Sequence, residues 1–433
     1  MRPFSSFTVV CTVLGMVVSG SCYRVEARGG AGDADGPEPA SSGRTRAAPT
    51  QDDSGTRVDA SQGGVTIASG VNSLTIGARM QFRWTVDDRD QFDGDTTGSG
   101  VDRADGARSE FDVPRMRVTL GGGAFRPWMR YYFQFDFSRT SGEGDSKIKD
   151  AIFEIRPTGQ SYRILAGQFK APFGLQQLVS SGRQQFVDRA VTDAKFTPGR
   201  DMGVMLSGTV AKKIGYEVGA FNGSGESTRQ QNQSHLYAGR VYFQPLGTYS
   251  LAEGGNDAPD QPVVHVGLGA RGGKAIRGRT TEGVVQDPDN QSAYNIELGF
   301  KAPRIFATAE YFWMTDEQQN PDPGPDIDSR GYHAQGGYMI VPETVEVGLR
   351  YAEVDGDTRV NDATLREVRG VVGYYWLSHS LKLQVDVGQI SYGAGYGSLS
   401  SRARSGLPDF DNRLVSNQSL SDRQFRLQLQ VAF

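Results

Sequence analysis

Basic residues are concentrated between Leu165 and Val204, although the chain as a whole has a formal net charge of −4. Arginine offers a planar pair of N–H donors and lysine a compact positive charge, so both can replace the water around a passing anion. This surplus of positive charge therefore points to a site for anions. The basic residues of the stretch are Lys170, Arg183, Arg189, Lys195 and Arg200, and its acidic residues are Asp188, Asp193 and Asp201.

The same stretch loses the strand pattern at Pro172, and a new strand opens only near Met202. A connection this long in a strand-rich chain is uncommon and is usually functional or disordered. Its apolar residues predict that it folds against other parts of the protein. We therefore predict a loop that folds into the lumen of a barrel, narrows it and presents cations to anions. Arg200 is expected to pair with Asp201 and to hold the loop in place. The apolar anchors are Phe173, Leu178, Phe186 and Phe196.

Apolar and polar residues alternate on both sides of this loop, which is the pattern of half-buried strands. In residues 73–86, for example, Met80 and Phe82 fall on one face while Arg79 and Arg83 fall on the other. Many segments reach about ten residues with aromatic ends, the length that a tilted membrane strand needs. We predict an all-β fold, a transmembrane antiparallel β-barrel of about sixteen strands with an inward-folded third loop. The predicted strands are residues 73–86, 110–121, 128–138, 147–156, 161–170, 202–210, 214–222, 235–244, 263–271, 293–302, 304–314, 331–341, 343–353, 366–377, 380–391 and 423–433.

Short and long connections alternate along the chain, as they do in outer-membrane barrels with periplasmic turns and external loops. An even number of strands then leaves both termini on the periplasmic side. The predicted turns are residues 121–123, 157–159, 211–213 and 302–303, and the predicted external loops are residues 87–109, 171–201, 223–234, 272–292, 315–330 and 392–422.

Composition agrees with a barrel of this kind. The 433 residues include 56 glycines and 10% aromatic residues. After the N-terminus there is no apolar run of 18 residues, which excludes a helical membrane protein. Barrel strands can nevertheless cross a bilayer with a soluble-like average hydropathy, because only every second residue faces lipid. The small negative net charge gives no support to nucleic-acid binding.

The two ends of the sequence both carry signals of export and assembly. We expect residues 1–27 to be a signal peptide, 28–64 a flexible polar leader and 65–433 the barrel domain. Cleavage after Ala27 and lipidation of Cys22 remain alternatives. The last strand alternates up to Phe433, which resembles the C-terminal signature that the barrel assembly machinery reads in bacterial outer-membrane proteins.

Candidate anion-pathway residues follow from the alternation and from the inward loop, since rings of arginine and lysine line anion pores. The alternative is that such charges pair across strands and only solvate the wall. Further basic residues predicted to face the lumen are Arg240, Arg271, Lys301, Arg304, Arg350, Arg369, Lys382 and Arg426. The candidates for the anion pathway are Lys170, Arg183, Arg189, Arg79, Arg83, Arg115, Arg117 and Arg130.

Catalytic and cofactor motifs are weak in this sequence. Gly267, Gly269 and Gly272 match a dinucleotide-binding spacing, but no helix can follow them. The four histidines lack metal spacing, and no G-x-S-x-G elbow exists for a hydrolase. We therefore expect neither an enzyme nor a cofactor. Acidic residues in 87–95 and 321–328 leave calcium binding as an alternative, although the ligand spacing of a calcium loop is missing.

Four motifs together resemble the phosphate-selective porin O/P family of Gram-negative outer membranes: GQFKAPFG from Gly167, SSGRQQFVDRAV from Ser180, PGRDMGV from Pro198 and YAGRVYFQPLG from Tyr237. The sequence departs from the family pattern by the insertion of Gly182 and by Asp188 where glutamate is common. The resemblance implies a sixteen-stranded channel for small inorganic anions in outer-membrane lipid. It also implies a homotrimer and an inward third loop.

The sequence thus predicts a passive outer-membrane porin that conducts phosphate or related anions through an Arg/Lys-lined constriction. A general porin with little selectivity is the nearest alternative. A structural or adhesive surface barrel with a closed lumen is a third, and it differs from both in carrying no current.

Overall fold

The computed structural model describes residues 55–60, 64–89, 107–138, 147–227, 234–274, 290–318, 324–408 and 419–433. These residues form eighteen β-strands in one sheet, with three short α-helices in the connections. The strands are β1 (Arg57–Asp59), β2 (Val65–Ser69), β3 (Asn72–Arg89), β4 (Ala107–Ala124), β5 (Arg126–Asp136), β6 (Lys147–Ile155), β7 (Tyr162–Lys170), β8 (Arg200–Val210), β9 (Ile214–Phe221), β10 (Leu236–Phe243), β11 (Val263–Lys274), β12 (Asn290–Ala302), β13 (Ile305–Asp316), β14 (Ile327–Val341), β15 (Val345–Asp355), β16 (Thr364–Leu377), β17 (Leu381–Tyr392) and β18 (Leu420–Ala432). The helices are α1 (Leu175–Leu178), α2 (Val191–Phe196) and α3 (Ser401–Arg404).

Strands β3 to β18 close into a barrel, because each pairs with the next and β18 pairs back to β3. Every pairing between neighbours in this ring is antiparallel, and the closing register runs from Asp422 opposite Arg89 to Ala432 opposite Arg79. Closure gives every wall strand a paired neighbour on both sides and so leaves no open edge. The predicted sixteen-stranded antiparallel barrel is confirmed for the described residues.

Strand β3 is long enough to pair with two partners along one edge. Strand β18 covers its C-terminal part, and the hairpin partner β2 covers Asn72–Ile76. Phe433 continues the seam, since its backbone N–H donates to the Ala78 carbonyl and its own carbonyl accepts from the Ala78 N–H, both at 2.9 Å. Strand β1 adds to β2 and falls inside the predicted leader, so regular structure begins before residue 65. The predicted signal peptide lies outside the described residues.

In contrast to a soluble barrel, the wall has its polar face inside and its apolar face outside. In β12, Glu297 is fully buried at 0% exposure while the neighbouring Leu298 is 48% exposed. The same alternation places most basic and acidic wall side chains inside and many valine, leucine and aromatic side chains outside, although the interior also holds apolar residues such as Phe306 and Phe312. An apolar exterior around a polar interior is the arrangement that a lipid bilayer requires.

One predicted turn is wrong. Residues 121–123 lie inside β4, and the chain reverses at Phe125, which has a left-handed φ of 62°. The glycines serve close approach instead, because a Cβ on Gly122 would lie 1.9 Å from the Ser73 carbonyl oxygen. The turn at 211–213 lies where the sequence predicts it, and the turn predicted at 302–303 lies one residue later, at 303–304. None of the helices in the described residues is long and apolar enough to cross a membrane.

Candidate functional site

The connection between β7 and β8, called here segment 171–199, is the part of the chain that carries the candidate site. Its fold starts at Gly174, whose φ of 84° is open to glycine, and continues through α1 and α2. The predicted anchors Phe173, Phe186 and Phe196 are fully buried. Phe196 stacks on Phe312 of β13 with ring centroids 5.1 Å apart. The packing of these apolar side chains therefore holds segment 171–199 in place.

Side chains from many strands hydrogen-bond to segment 171–199, and they belong to the polar face of the wall. Glu310 of β13 accepts hydrogen bonds from the backbone N–H of Leu175 at 2.6 Å and of Gln176 at 2.8 Å. Lys382 of β17 donates to the Gln184 carbonyl at 2.8 Å, on a wall strand remote from β13 in the order of the sheet. In the described residues the partners come from β3, β4, β7, β11 and β13–β18.

Three arginines from the wall converge on the carboxylate of Asp188 in this segment. Arg83 of β3 binds it in bidentate fashion at 2.9 and 3.0 Å. Arg115 of β4 donates at 3.0 Å and Arg426 of β18 at 2.9 Å. We call Asp188 and these three arginines the Asp188 cluster. Burial alone would raise the pKa of the Asp188 carboxyl, but the charges of the three arginines outweigh it and hold this pKa well below its usual range.

Two more arginines extend the Asp188 cluster along the wall. Arg350 of β15 donates to the Asp188 backbone carbonyl at 2.8 Å and to Glu367 at 2.6 Å. Arg369 of β16 donates at 3.0 Å to Asp386, which also accepts from Arg426 at 2.9 Å. Five guanidinium groups thus share three carboxylates, those of Asp188, Asp386 and Glu367, so this side of the interior is positive.

Of the predicted site residues, only Arg83 and Arg115 belong to the Asp188 cluster. Arg79 and Arg117 lie one step away, where they donate to the hydroxyls of Ser180 and Ser181 in segment 171–199. Arg117 also pairs with Asp136 of β5.

The three candidates near the segment itself are held by backbone groups. Lys170 and Arg189 both donate to the Val179 carbonyl, at 3.0 and 2.9 Å. Arg183 is half-buried, and its carbonyl accepts from the Glu253 N–H at 2.8 Å. Arg130 lies apart from all of these, exposed near the β4–β5 turn and opposite Glu154 in cross-strand register.

Two predicted placements are wrong. Arg200 pairs with Asp150 of β6 at 2.9 Å rather than with Asp201, because neighbouring residues of a strand point to opposite faces. Arg304 does not face the lumen. It lies in the β12–β13 turn with its guanidinium over the ring of exposed Tyr338, and it donates to the Met339 and Ile340 carbonyls.

A second connection meets segment 171–199 from the end of the barrel where the short turns lie. Residues 244–262, between β10 and β11, are long for that end and were not singled out by the sequence. Glu253 at their centre accepts from the Gln185 N–H at 2.9 Å and from the Gln176 side-chain amide at 3.0 Å. Gly255 donates to Glu346 of β15 at 2.8 Å. Unusual length at the short-turn end was the one sequence signal that could have pointed to this contact.

Arg426 and Asp188 are the residues whose part in the site the sequence did not reveal. Alternation predicts that Arg426 faces the interior but does not place it in the pathway, and the sequence shows Asp188 only as one acidic residue of a basic stretch. Among the described residues no group of three or more His, Cys, Asp or Glu side chains is arranged to hold a metal ion. Most of the predicted calcium loop at 87–95 lies outside the described residues.

A closed antiparallel barrel with a charged interior, an apolar exterior and a long connection against its polar face defines a porin-type channel of the outer membrane. The chain belongs to the family of phosphate-selective porins O and P, whose pattern matches residues 77–394. Its members are channels of the Gram-negative outer membrane rather than enzymes, and this chain is an outer-membrane porin.

Solved porin structures share the fold at low sequence identity. An anion-selective porin from Comamonas acidovorans is 11% identical with a TM-score of 0.53, over 84% of this chain and 100% of that chain. The outer membrane channel DcaP of Acinetobacter baumannii is 13% identical with a TM-score of 0.51, over 84% and 99%. The trimer form of OmpT of Vibrio cholerae is 12% identical with a TM-score of 0.51, over 83% and 99%. Among curated protein sequences no match was found.

Proposed function

We propose that this porin conducts phosphate or related small anions through a constriction formed by segment 171–199 and the arginines that face it. The observation that carries the proposal is the convergence of Arg83, Arg115 and Arg426 on one carboxylate. A set of guanidinium groups that binds a carboxylate offers the planar donor pairs that a phosphate oxygen also accepts.

The surplus of positive charge supports selectivity for anions. Arg350 and Arg369 continue the line of guanidinium groups from the Asp188 cluster, and although they are buried and paired, their charges extend the positive potential along the wall. Several weak sites in series let an ion enter without holding it, which is the condition for conduction. On this proposal Arg79 and Arg117 orient Ser180 and Ser181, while Lys170 and Arg189 hold the backbone of the constriction.

A structural or adhesive surface barrel with a closed lumen is the second candidate, and one observation favours it. Residues 244–262 and segment 171–199 touch through Glu253, and two connections in contact would narrow the lumen. A structural barrel closed in this way would carry no current. Purified protein in a planar lipid bilayer separates the candidates. We expect steps of chloride current that phosphate blocks in a concentration-dependent way. Current without block would indicate a general porin, and absence of current a closed barrel.

An outer-membrane porin of this kind has three expected partners: membrane lipid, the assembly machinery and further copies of the same chain. We propose that the apolar exterior contacts outer-membrane lipid and that Phe433 at the barrel seam is read by the assembly machinery. We also propose a homotrimer, because one of the similar porin structures is described as a trimer form. Light scattering of the detergent-solubilised protein tests this, with three times the chain mass as the expected value and one chain mass as the contradicting one.

A further inference from the structure

We propose that the outside of the barrel carries a binding site for one phospholipid of the periplasmic leaflet. The Arg304 guanidinium binds the phosphate of the headgroup, and one acyl chain lies in an apolar groove on strands β12–β15. The site goes beyond general contact with membrane lipid, because it selects a phosphate at one place on the wall. It lies outside the lumen and is therefore independent of which ions the channel conducts.

The groove is a depression of about 710 Å³ in the apolar exterior of the wall. Small residues on two neighbouring strands form its floor. Ala307 of β13 lies opposite Gly336 of β14, and Ala309 lies opposite Ala334 in the same register. Small residues let another chain approach the backbone closely inside a membrane. The side walls of the groove are Leu298 and Phe300 of β12 and Leu349 and Tyr351 of β15.

Arg304 lies at the end of the groove where the short turns of the barrel are found, which is the periplasmic end of an outer-membrane barrel. It precedes Ala307 of the groove floor by three residues, about 10 Å along β13. Tyr338 and Trp376 are exposed on the exterior at the same end of β14 and β16. Aromatic side chains of this kind mark the level of the lipid headgroups. Arg304 is therefore at the depth of the headgroup phosphates.

The protein holds the Arg304 guanidinium in place without neutralising its charge. Nε donates to the Met339 carbonyl at 3.1 Å and Nη2 to the Ile340 carbonyl at 2.8 Å. The guanidinium carbon lies 5.4 Å from the centroid of the Tyr338 ring. Within the part of the chain that the structure describes, this guanidinium has no carboxylate partner, unlike exposed Arg366, which pairs with Glu353. Its remaining N–H groups are thus oriented to donate to a phosphate.

The groove and the cation together favour a phospholipid over other ligands. Lipid tails are as apolar as leucine, so a groove in the wall attracts an acyl chain only through close packing. The charge-assisted bond to Arg304 supplies the specificity that packing lacks. A free phosphate ion cannot use the groove, and a neutral lipid cannot use Arg304. A second copy of the chain seated on the groove is the competing occupant, and the test separates it.

Native mass spectrometry of the purified porin in detergent tests the site, with phosphatidylglycerol and a diacylglycerol of the same acyl chains as probes. We expect wild type to retain one phosphatidylglycerol per chain and to bind it more tightly than diacylglycerol. Arg304→Gln should weaken phosphatidylglycerol binding by about tenfold, the effect of one charge-assisted hydrogen bond, and leave diacylglycerol binding unchanged. Ala334→Leu fills the floor of the groove and should reduce the binding of both lipids.

Two matched controls change the same residue types elsewhere and should bind like wild type. Arg126→Gln lies at the β4–β5 turn at the same end of the barrel, and Ala220→Leu lies on the exterior of β9. Equal losses in Arg304→Gln and Arg126→Gln would overturn the site as general attraction to a basic rim. Unchanged lipid binding in Ala334→Leu also overturns it, and a simultaneous fall in oligomer mass would assign the groove to a second copy.

These readouts involve no ion current, so a negative result leaves the proposed anion channel untouched. A channel that fails to select anions leaves the lipid site equally untouched. Heat-modifiable migration on gels verifies that each variant barrel has folded before its lipid binding is compared.

Discussion

Replacement of Arg115 by glutamine removes one of the three charges that meet at Asp188 and leaves the other two in place. Arg115 is the most suitable of the three for this purpose. Its partners are Gln81 at 2.9 Å and Asp188 at 3.0 Å, whereas Arg426 also pairs with the buried Asp386. Arg83 and Arg426 still hold the segment, so the variant barrel should fold.

The size of the effect follows from Coulomb's law. A unit charge about 4 Å from the anion contributes about 1 kcal/mol at the dielectric constant of water and about 4 kcal/mol at an effective value of about 20. The Asp188 site is partly exposed, which favours the lower part of this range, about 1–2 kcal/mol. Such a loss weakens binding about 5- to 30-fold.

Planar-bilayer recordings measure this loss as the phosphate concentration that halves the chloride current. We expect Arg115→Gln to raise this concentration by the factor derived above. The matched control is Arg366→Gln, which removes the same charge from an exposed residue paired with Glu353 at 2.9 Å. An Arg115→Gln channel indistinguishable from wild type, or equal changes in both variants, would refute an anion site at the Asp188 cluster.

Three further predictions test other parts of the pathway. Arg183→Glu should shift the reversal potential in a salt gradient towards cations, and an unchanged potential would mean that this residue does not line the pathway. Replacement of residues 246–260 by a short glycine–serine turn should raise single-channel conductance, because it removes the contact of Glu253 with segment 171–199; equal conductance would show that this connection does not narrow the lumen. The lowered pKa of Asp188 predicts that the carboxylate stays ionised below its usual range. Its contribution to stability is complete above about pH 4 and is lost only as the pH falls through the lowered pKa, so the difference in unfolding free energy between wild type and Asp188→Asn should be the same at pH 7 and at about pH 5.

The wall of the barrel could be predicted from the sequence because its signal is local. Each strand repeats an apolar and a polar residue, and the same repeat decides which side chains face inward. The predictions that proved wrong concern residue types that occur in more than one structural role. The glycines at 121–123 indicated a turn, but they permit close strand approach near Ser73. Arg200 and Asp201 indicated an ion pair, but alternation separates them.

The centre of the candidate site could not be predicted, because its members are far apart in sequence. Arg83, Arg115, Asp188 and Arg426 meet only after the barrel has closed and segment 171–199 has packed against its polar face. No periodic pattern links them. The inserted Gly182 is also explained only by this packing, since a Cβ there would lie 2.3 Å from the Arg79 guanidinium.

The reversal potential of the wild-type channel in a potassium chloride gradient tests the central claim most directly. A positive interior at the Asp188 cluster predicts that chloride carries most of the current, so the potential should lie towards the equilibrium potential of chloride. A potential towards that of potassium would contradict the account, because the arginines of β3, β4 and β18 could not then govern the pathway.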